Sequence, residues 1–362
     1  MTAQRKPPAA KTPEPGHGPH HRIVPPGPMA VELQRLKKES GRRRYVPERE
    51  IARGGMGVVL QVWDELLRRP LAMKVLETEV NPAGSAAAER FLTEAQIAGA
   101  LQHPAIVPIH DFGLDEEGRL FFTMPLIEGI DLGTAFDHAS ERRQGWSIVR
   151  AVQALTAVCD VIAYAHARGV IHRDLKPTNV LIGAYGGIHV LDWGLAKVVD
   201  PQATADDDGG AKGGVPVATV SGTPPWMAPE QAEGAGAEVS FRTDIYALGA
   251  LLHRLLAGRP PYVSPRAPAD TAKLLELIRR GPPTPLSRIA PDAPRELVEA
   301  AARAMQRRPE DRHPRVEDLS GELQVFLERS GGQRNGFRLA LAGMAGRLRA
   351  GLKHGGRPEK GR

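Results

Sequence analysis

The stretch VIHRDLKPTNVLIGAYGGIHVLDWGLAK, residues 170–197, constrains this chain more than any other. Short apolar runs flank a polar segment, so it reads as strand, loop, strand, with Asp174, Lys176 and Asn179 in the polar segment and Asp192 just past the last apolar run. Two carboxylates, an amide and an ammonium held one hairpin apart supply oxygen donors for a hard divalent cation, an acceptor for a hydroxyl proton and a countercharge for a phosphoryl group. A polar turn between strands is the plain alternative, but unrelated loops rarely carry all four groups in this order.

The rest of the chain has a strand-rich front and a helix-rich back. From Tyr45 come the β-like runs VPEREIA, GVVLQVWD and PLAMKVLE, separated by turn formers, which predict a small antiparallel sheet. SAAAERFLTEAQIAGAL (85–101) has helical apolar spacing, and IVPIHDFG and RLFFTMPL predict two further strands. After Gly129, helical patterns dominate, at 147–168, 239–257, 270–280 and 294–328. At 362 residues the chain accommodates two lobes that share one site. Residues 198–218, polar and glycine-rich with no periodicity, are a long loop of the kind that is functional or disordered.

HRDLKPTN followed by DWG resembles the catalytic segment of eukaryotic-type (Hanks-type) protein kinases, in particular the bacterial serine/threonine kinases. The resemblance extends from about Tyr45 to Leu327. It implies an α+β, two-lobed protein kinase-like fold, with a small antiparallel β-sheet N-lobe carrying one helix and a larger, mainly helical C-lobe. The expected divisions are a basic, proline-rich tail at 1–44, the N-lobe at 45–127, the C-lobe at 128–330 with an activation segment at 192–230, and a basic tail at 331–362.

The resemblance also implies roles. Asp174 and Lys176 are the catalytic pair, Asn179 and Asp192 the metal ligands, and Lys74 in LAMKVL the phosphate-binding lysine held by Glu94 in FLTEAQ. ARGGMGVV is the glycine-rich loop over the nucleotide: Ala52, Arg53, Gly54, Gly55, Met56, Gly57 and Val59, with Ala52 where the family has its first glycine. That glycine mainly eases a turn, so alanine fits there if its φ is negative. In FFTMPLIEGID, Met124 is the gatekeeper, Leu126 and Ile127 line the adenine and Asp131 reaches the ribose. Ala72, Val59 and Leu181 sandwich the base. Pro125 lacks an N–H, which leaves the donated adenine bond to Ile127.

SGTPPWMAPEQ (221–231) matches the substrate-docking segment, Glu230 is expected to pair with Arg312 in PEDRHP, and Asp244 in TDIYALG to brace the catalytic loop. Lys176 and Thr223 mark the serine/threonine form. Arg173 and Lys197 are expected to receive a phosphate on the activation loop, with Thr219 the first phosphosite candidate and Ser221 and Thr204 behind it. ATP with Mg²⁺, or Mn²⁺ as an alternative, protein substrates and a transient dimer for autophosphorylation in trans follow from the same likeness. Tryptophan at 193 replaces the family's phenylalanine; it retains an aromatic plug whose indole N–H needs a partner. Loss of the strand lysine, catalytic aspartate or metal aspartate would mark a binding-only module. Lys74, Asp174 and Asp192 are all present. A small-molecule phosphotransferase shares the H-x-D logic but is not expected to carry the A-P-E segment.

Composition sharpens the partners. The formal charge of +6 comes from the ends: residues 1–44 hold ten Lys/Arg against three acids and 331–362 eight against one, so 45–330 is mildly acidic, with 30 basic and 38 acidic side chains. That argues against a nucleic-acid-binding domain and leaves the tails for an anionic partner or membrane surface. His17, His20 and His21 lack the carboxylate or cysteine neighbours of a metal site. The single cysteine, Cys159, shares a helical face with Val152, Leu155, Ile162 and His166, which predicts a buried structural thiol in a reducing compartment. Without a secretory signal or an apolar run of membrane length, the expected location is cytoplasmic.

Overall fold

The computed structural model describes residues 44–54, 57–77, 85–199, 222–234, 239–264 and 270–331. Its front is a five-stranded antiparallel sheet of β1 (Tyr45–Gly54), β2 (Gly57–Asp64), β3 (Arg69–Val75), β4 (Asp111–Leu114) and β5 (Leu120–Pro125), in the order β1-β2-β3-β5-β4. Side chains alternate across a strand. Leu71, Met73 and Val75 therefore meet Val58, Val62 and Phe121 on one face. Lys74 emerges on the other, where Leu76, Leu120 and Phe122 carry helix α1 (Ala86–Ala100) through its residues Ala88, Phe91 and Ala95. The Ser85 hydroxyl starts α1 by accepting the Ala88 N–H at 3.2 Å.

The predicted strand IVPIHDFG begins only at Asp111. Pro108 removes a donor from the preceding stretch, and Ile106 instead makes an isolated bridge to Val190. The remaining elements of the front match the predicted runs.

Behind the sheet come β6 (Gly129–Asp131), α2 (Leu132–Ser140), α3 (Ile148–His166), β7 (Val170–Ile171), β8 (Val180–Gly183), β9 (Ile188–Val190) and β10 (Lys197–Val198). They are followed by α4 (Pro229–Glu233), α5 (Phe241–Ala257), α6 (Thr271–Arg280), α7 (Leu286–Ile289), α8 (Arg295–Ala304) and α9 (Val316–Arg329). The β6-β8-β9 and β7-β10 sheets frame the polar segment between β7 and β8. One large core joins α3 and α5 to α2, α8 and α9, and it includes the fully buried Cys159. Burial pushes that thiol far above its ordinary pKa, so it is a packing residue.

Two expectations need correction. The helical pattern 294–328 is two helices, α8 and α9, because Pro309 and Pro314 fall between them and the chain makes a 3₁₀ turn at Pro309–Asp311. And α3 is, by length and composition, apolar enough to cross a membrane, the one such helix among the described residues. It is hydrophobic nearly all round because it runs through the middle of the core, where ten of its residues are buried. Helix α2, which the apolar spacing alone did not mark, is capped by Asp131 and starts at Leu132.

Candidate active site

Strand β3 and helix α1 set the first charges. Lys74 Nζ lies 2.7 Å from both Glu94 carboxylate oxygens and 3.6 Å from Asp192 Oδ1. Burial opposes the Lys74 ammonium, but Glu94 and then Asp192 outweigh it and hold its pKa above the ordinary lysine value. Glu94 is 4 % exposed, and burial raises its carboxyl to about 7 against the pull of Lys74. Asp192 also resists burial: Lys74, then Lys176 and His172, keep its pKa below the ordinary carboxylate value. One Asp192 oxygen, Oδ1, is buried with no hydrogen-bond partner.

Between β7 and β8 the polar segment folds on itself. Lys176 Nζ donates to Asp174 Oδ2 at 2.6 Å and to Thr223 Oγ1 at 3.0 Å. The Thr223 N–H and hydroxyl both donate to Asp174 Oδ1 at 2.9 Å. Asn179 Nδ2 donates to the Asp174 carbonyl at 2.9 Å, which orients the amide and leaves its oxygen for other use. Backbone strain accompanies this arrangement: Arg173 and Asp192 have φ of 69° and 60°, in the left-handed region that non-glycine residues occupy at a cost of about 1–3 kcal/mol each.

A profile for the protein kinase domain matches residues 45–320. The chain belongs to the protein kinase family. Among its curated relatives, serine/threonine-protein kinase PknH of Mycobacterium bovis is 37% identical over 277 residues, 76% of this chain and 43% of the relative. Serine/threonine-protein kinase PknD of Protochlamydia amoebophila is 32% identical over 301 residues, 77% of this chain and 29% of the relative. A probable serine/threonine-protein kinase of Corynebacterium efficiens is 32% identical over 290 residues, with shares of 78% and 41%. The chain thus spans less than half the length of these relatives.

Protein kinases use ATP and a divalent metal, and the residues here fit that pair. A buried Asp192 oxygen that makes no hydrogen bond beyond its 3.6 Å ion pair with Lys74, and an amide oxygen on Asn179, are hard donors of the right kind. Among the described residues no three His, Cys, Asp or Glu side chains gather into a protein-only metal cage. Two ligands that leave the remaining positions to phosphate oxygens and water suit a nucleotide-borne cation.

The strained kinase loop is held from below by α5. Asp244, fully buried, accepts from the His172 N–H at 2.8 Å, the Arg173 N–H at 2.9 Å and His166 Nε2 at 2.8 Å. Burial alone would raise its pKa, yet His166 and these N–H groups depress it. Gln231 Nε2 adds a bond to the Arg173 carbonyl at 2.8 Å. Neither His166 nor Gln231 was singled out as a support from sequence, because each meets the loop only through contacts 58 or more residues apart in the chain. Thr223 was read as a type marker; the fold makes it a direct partner of Asp174.

Glu230 and Arg312 meet at 2.7 and 2.8 Å, both almost wholly buried. Arg312 also donates to the carbonyls of Gln306, Arg242 and Arg307, and Thr243 donates to Glu230. The pairing of β10 with β7 sets Lys197 opposite Ile171, close to Arg173. Burial lowers the pKa of both cations, and Arg173 lowers that of Lys197 further. Arg173 Nε is buried without a partner. Two cations with little counter-charge of their own thus lie near each other beside the catalytic loop.

On the nucleotide side, Ala52 pairs with Val59 and Gly54 with Gly57 across the β1-β2 hairpin. Gly57 has φ +153°, and a Cβ there would fall 2.1 Å from the Val75 carbonyl oxygen, so only glycine lets the loop lie on β3. Arg53 is tied to Glu50 and Glu77. Ala72 faces Met124 and Lys74 faces Phe122 across β3-β5, while Leu181 sits opposite Asp131. Asp131 is engaged as the N-cap of α2: Oδ1 accepts from Gly133 N at 2.8 Å and Thr134 N at 3.2 Å, and Oδ2 from the Thr134 hydroxyl at 2.6 Å. Trp193 is 2 % exposed, packs at a tilt with its ring 4.6 Å from that of His172 and leaves its indole N–H without a partner. Gly55, Met56, Thr204, Thr219, Ser221 and most of both tails lie outside the described residues.

Proposed function

We propose that this chain is an active serine/threonine protein kinase that transfers the γ-phosphoryl group of ATP to Ser or Thr hydroxyls of proteins in bacterial signal transduction. One observation carries the reading: Lys74, Glu94, Asp192, Asp174, Lys176 and Asn179 are all present, and their ion pairs and hydrogen bonds are already made. A binding-only module has no need to hold this set together.

In this reading Asp174 accepts the proton of the incoming hydroxyl while Lys176 sits beside the transferred phosphoryl, and Thr223 fixes the carboxylate that receives the proton. Lys74, steadied by Glu94, positions the nucleotide phosphates. Asn179 and Asp192 would hold Mg²⁺, with Mn²⁺ as an alternative, and the bound cation would draw negative charge from the phosphates. Met124, Ile127, Ala72, Val59 and Leu181 form the adenine site, and Asp131 offers its remaining lone pairs to the ribose. The working divisions are an N-lobe at 45–127, a C-lobe at 128–330 with the activation segment at 192–230, and basic tails at 1–44 and 331–362. A cytoplasmic site of action suits both ATP and the free thiol Cys159.

The neighbouring cations Arg173 and Lys197 support autophosphorylation in trans on the activation segment, with Thr219 first, then Ser221 and Thr204. The threonine oxygen bonds to the γ-phosphorus as the β–γ bridging bond breaks, ADP leaves and the proton passes to Asp174. Incubation of purified protein with labelled ATP, Mg²⁺ and a generic basic protein tests the enzyme reading. Transfer is expected from wild type and not from Asp174→Asn; nucleotide binding without transfer in either would overturn it. Unchanged activity and loop protection in Thr219→Ala after ATP treatment would rule out that phosphosite.

A further inference from the structure

Helices α2, α3, α5 and α7 and the α7–α8 loop enclose an open groove of about 390 Å³, lined by none of the nucleotide-site residues. Its floor is apolar: Ile148, Leu256, Ile289 and Ala290 pack on the main core with part of their surface left outside. Its rim carries Asp292, exposed and with no ion pair among the described residues.

The described chain ends beside this groove. Arg329, the last residue of α9, donates to Glu296 Oε1 at 2.9 Å, and Glu296 lies two residues past Pro294 on the rim. Residues 332–362 therefore set out from the groove's edge. The segment FRLALAGMAGRL, 337–348, carries Phe337, Leu341, Met344 and Leu348 at spacings of four, three and four, the interval that places side chains on one face of a helix. Phe337 lies six positions past Gly331, a reach of up to about 20 Å when extended, enough to return over Pro294. The arginines that flank the apolar positions, Arg338 and Arg347, match the unpaired acid on the rim.

We propose that residues 337–348 dock intramolecularly into this groove, with the Phe337, Leu341 and Met344 side chains on Ile148, Leu256 and Ile289 and an arginine on Asp292. The docked segment covers the junction of α2, α3 and α5 and ties the C-terminal tail to the base of the kinase domain. The inference stands whether or not the chain transfers phosphate.

Hydrogen exchange on the full chain tests it. Amides of 288–293 and 337–348 are expected to exchange roughly tenfold more slowly in wild type than in the variant Phe337→Asp/Leu341→Asp/Met344→Asp. Helices α5 and α9 should exchange alike in both, which shows that the variant folds. Asp292→Arg, a surface change, should lose part of the protection, and Asp292→Arg with Arg338→Asp should regain it. Equal exchange at 288–293 in all variants overturns the proposal. So does protection of 337–348 that appears only with anionic phosphatidylserine vesicles, which would make the tail a membrane-binding segment. Protection that grows with protein concentration also overturns it and points to a second copy of the chain.

Discussion

Removal of either partner of the Glu230–Arg312 pair should destabilise the protein unequally. With side-chain exposures of 3% and 0%, the two charges have no water to fall back on, and a lone survivor in such a place costs about 3–5 kcal/mol. The survivors differ in what remains to them. After Glu230→Ala, Arg312 still donates to three carbonyls, those of Gln306, Arg242 and Arg307, at 2.8–3.0 Å. After Arg312→Ala, the Glu230 carboxylate retains, among the described residues, only the Thr243 hydroxyl, and the three carbonyls lose the Arg312 donor as well. The expected losses are about 3 kcal/mol for Glu230→Ala and about 5 or more for Arg312→Ala. The double variant should cost less than the sum by about 1–3 kcal/mol, because the second removal takes away the stranded charge. Urea unfolding followed by the fluorescence of the four tryptophans reads the losses, and one of these reporters, Trp226, packs on the cluster that contains Tyr246, whose ring lies 4.9 Å from the Arg312 guanidinium. A larger loss for Glu230→Ala than for Arg312→Ala, or simple additivity in the double variant, would refute the reasoning.

Three further outcomes are expected. Glu94 has its pKa raised from 4.5 to about 7, so the folded protein holds an extra proton between those values and stability falls as pH rises through that window; Glu94→Gln should lose kinase activity yet flatten that part of the stability curve, measured by urea unfolding from pH 4.5 to 7.5. Asp174→Asn removes the proton acceptor without changing side-chain size and should lower kcat by about 10²–10⁴-fold, with nucleotide affinity by calorimetry little altered. Gly57→Ala places a methyl group against the Val75 carbonyl, so the KM for ATP should rise while the unfolding free energy falls by about 1–3 kcal/mol; an unchanged KM would show that the loop does not need this close approach.

Much of the molecule was legible in the chain where signals are local. β-like runs bounded by turn formers located β2, β3 and β5, and the helical apolar spacing of 85–101 located α1. The order of the HRDLKPTN and DWG motifs named the residues that the fold gathers. The misses have physical causes. Helix α2 is only nine residues long, too short for apolar spacing to stand out, and Asp131 caps it from outside. The run 294–328 kept its helical periodicity across Pro309, and only the chain's turn there separates α8 from α9. The apolar length of α3 is that of a membrane span, and only its position inside the core distinguishes the two.

What the sequence alone determined was the inventory: which groups carry charge, in which order, and on which strand or helix face, since side-chain period and turn chemistry act over a few residues. Tertiary structure decided the pairings. Lys74 meets Glu94 because β3 points it at α1, and Asp174 meets Thr223 49 positions away. Asp244 holds a strained Arg173 backbone from 71 residues off. Such contacts depend on how whole elements pack, and packing is a property of the folded core that no local stretch of the segment 170–197 contains. The same holds for Trp193: the sequence supplies the ring, and the fold decides that it rests on His172 with its N–H unmatched.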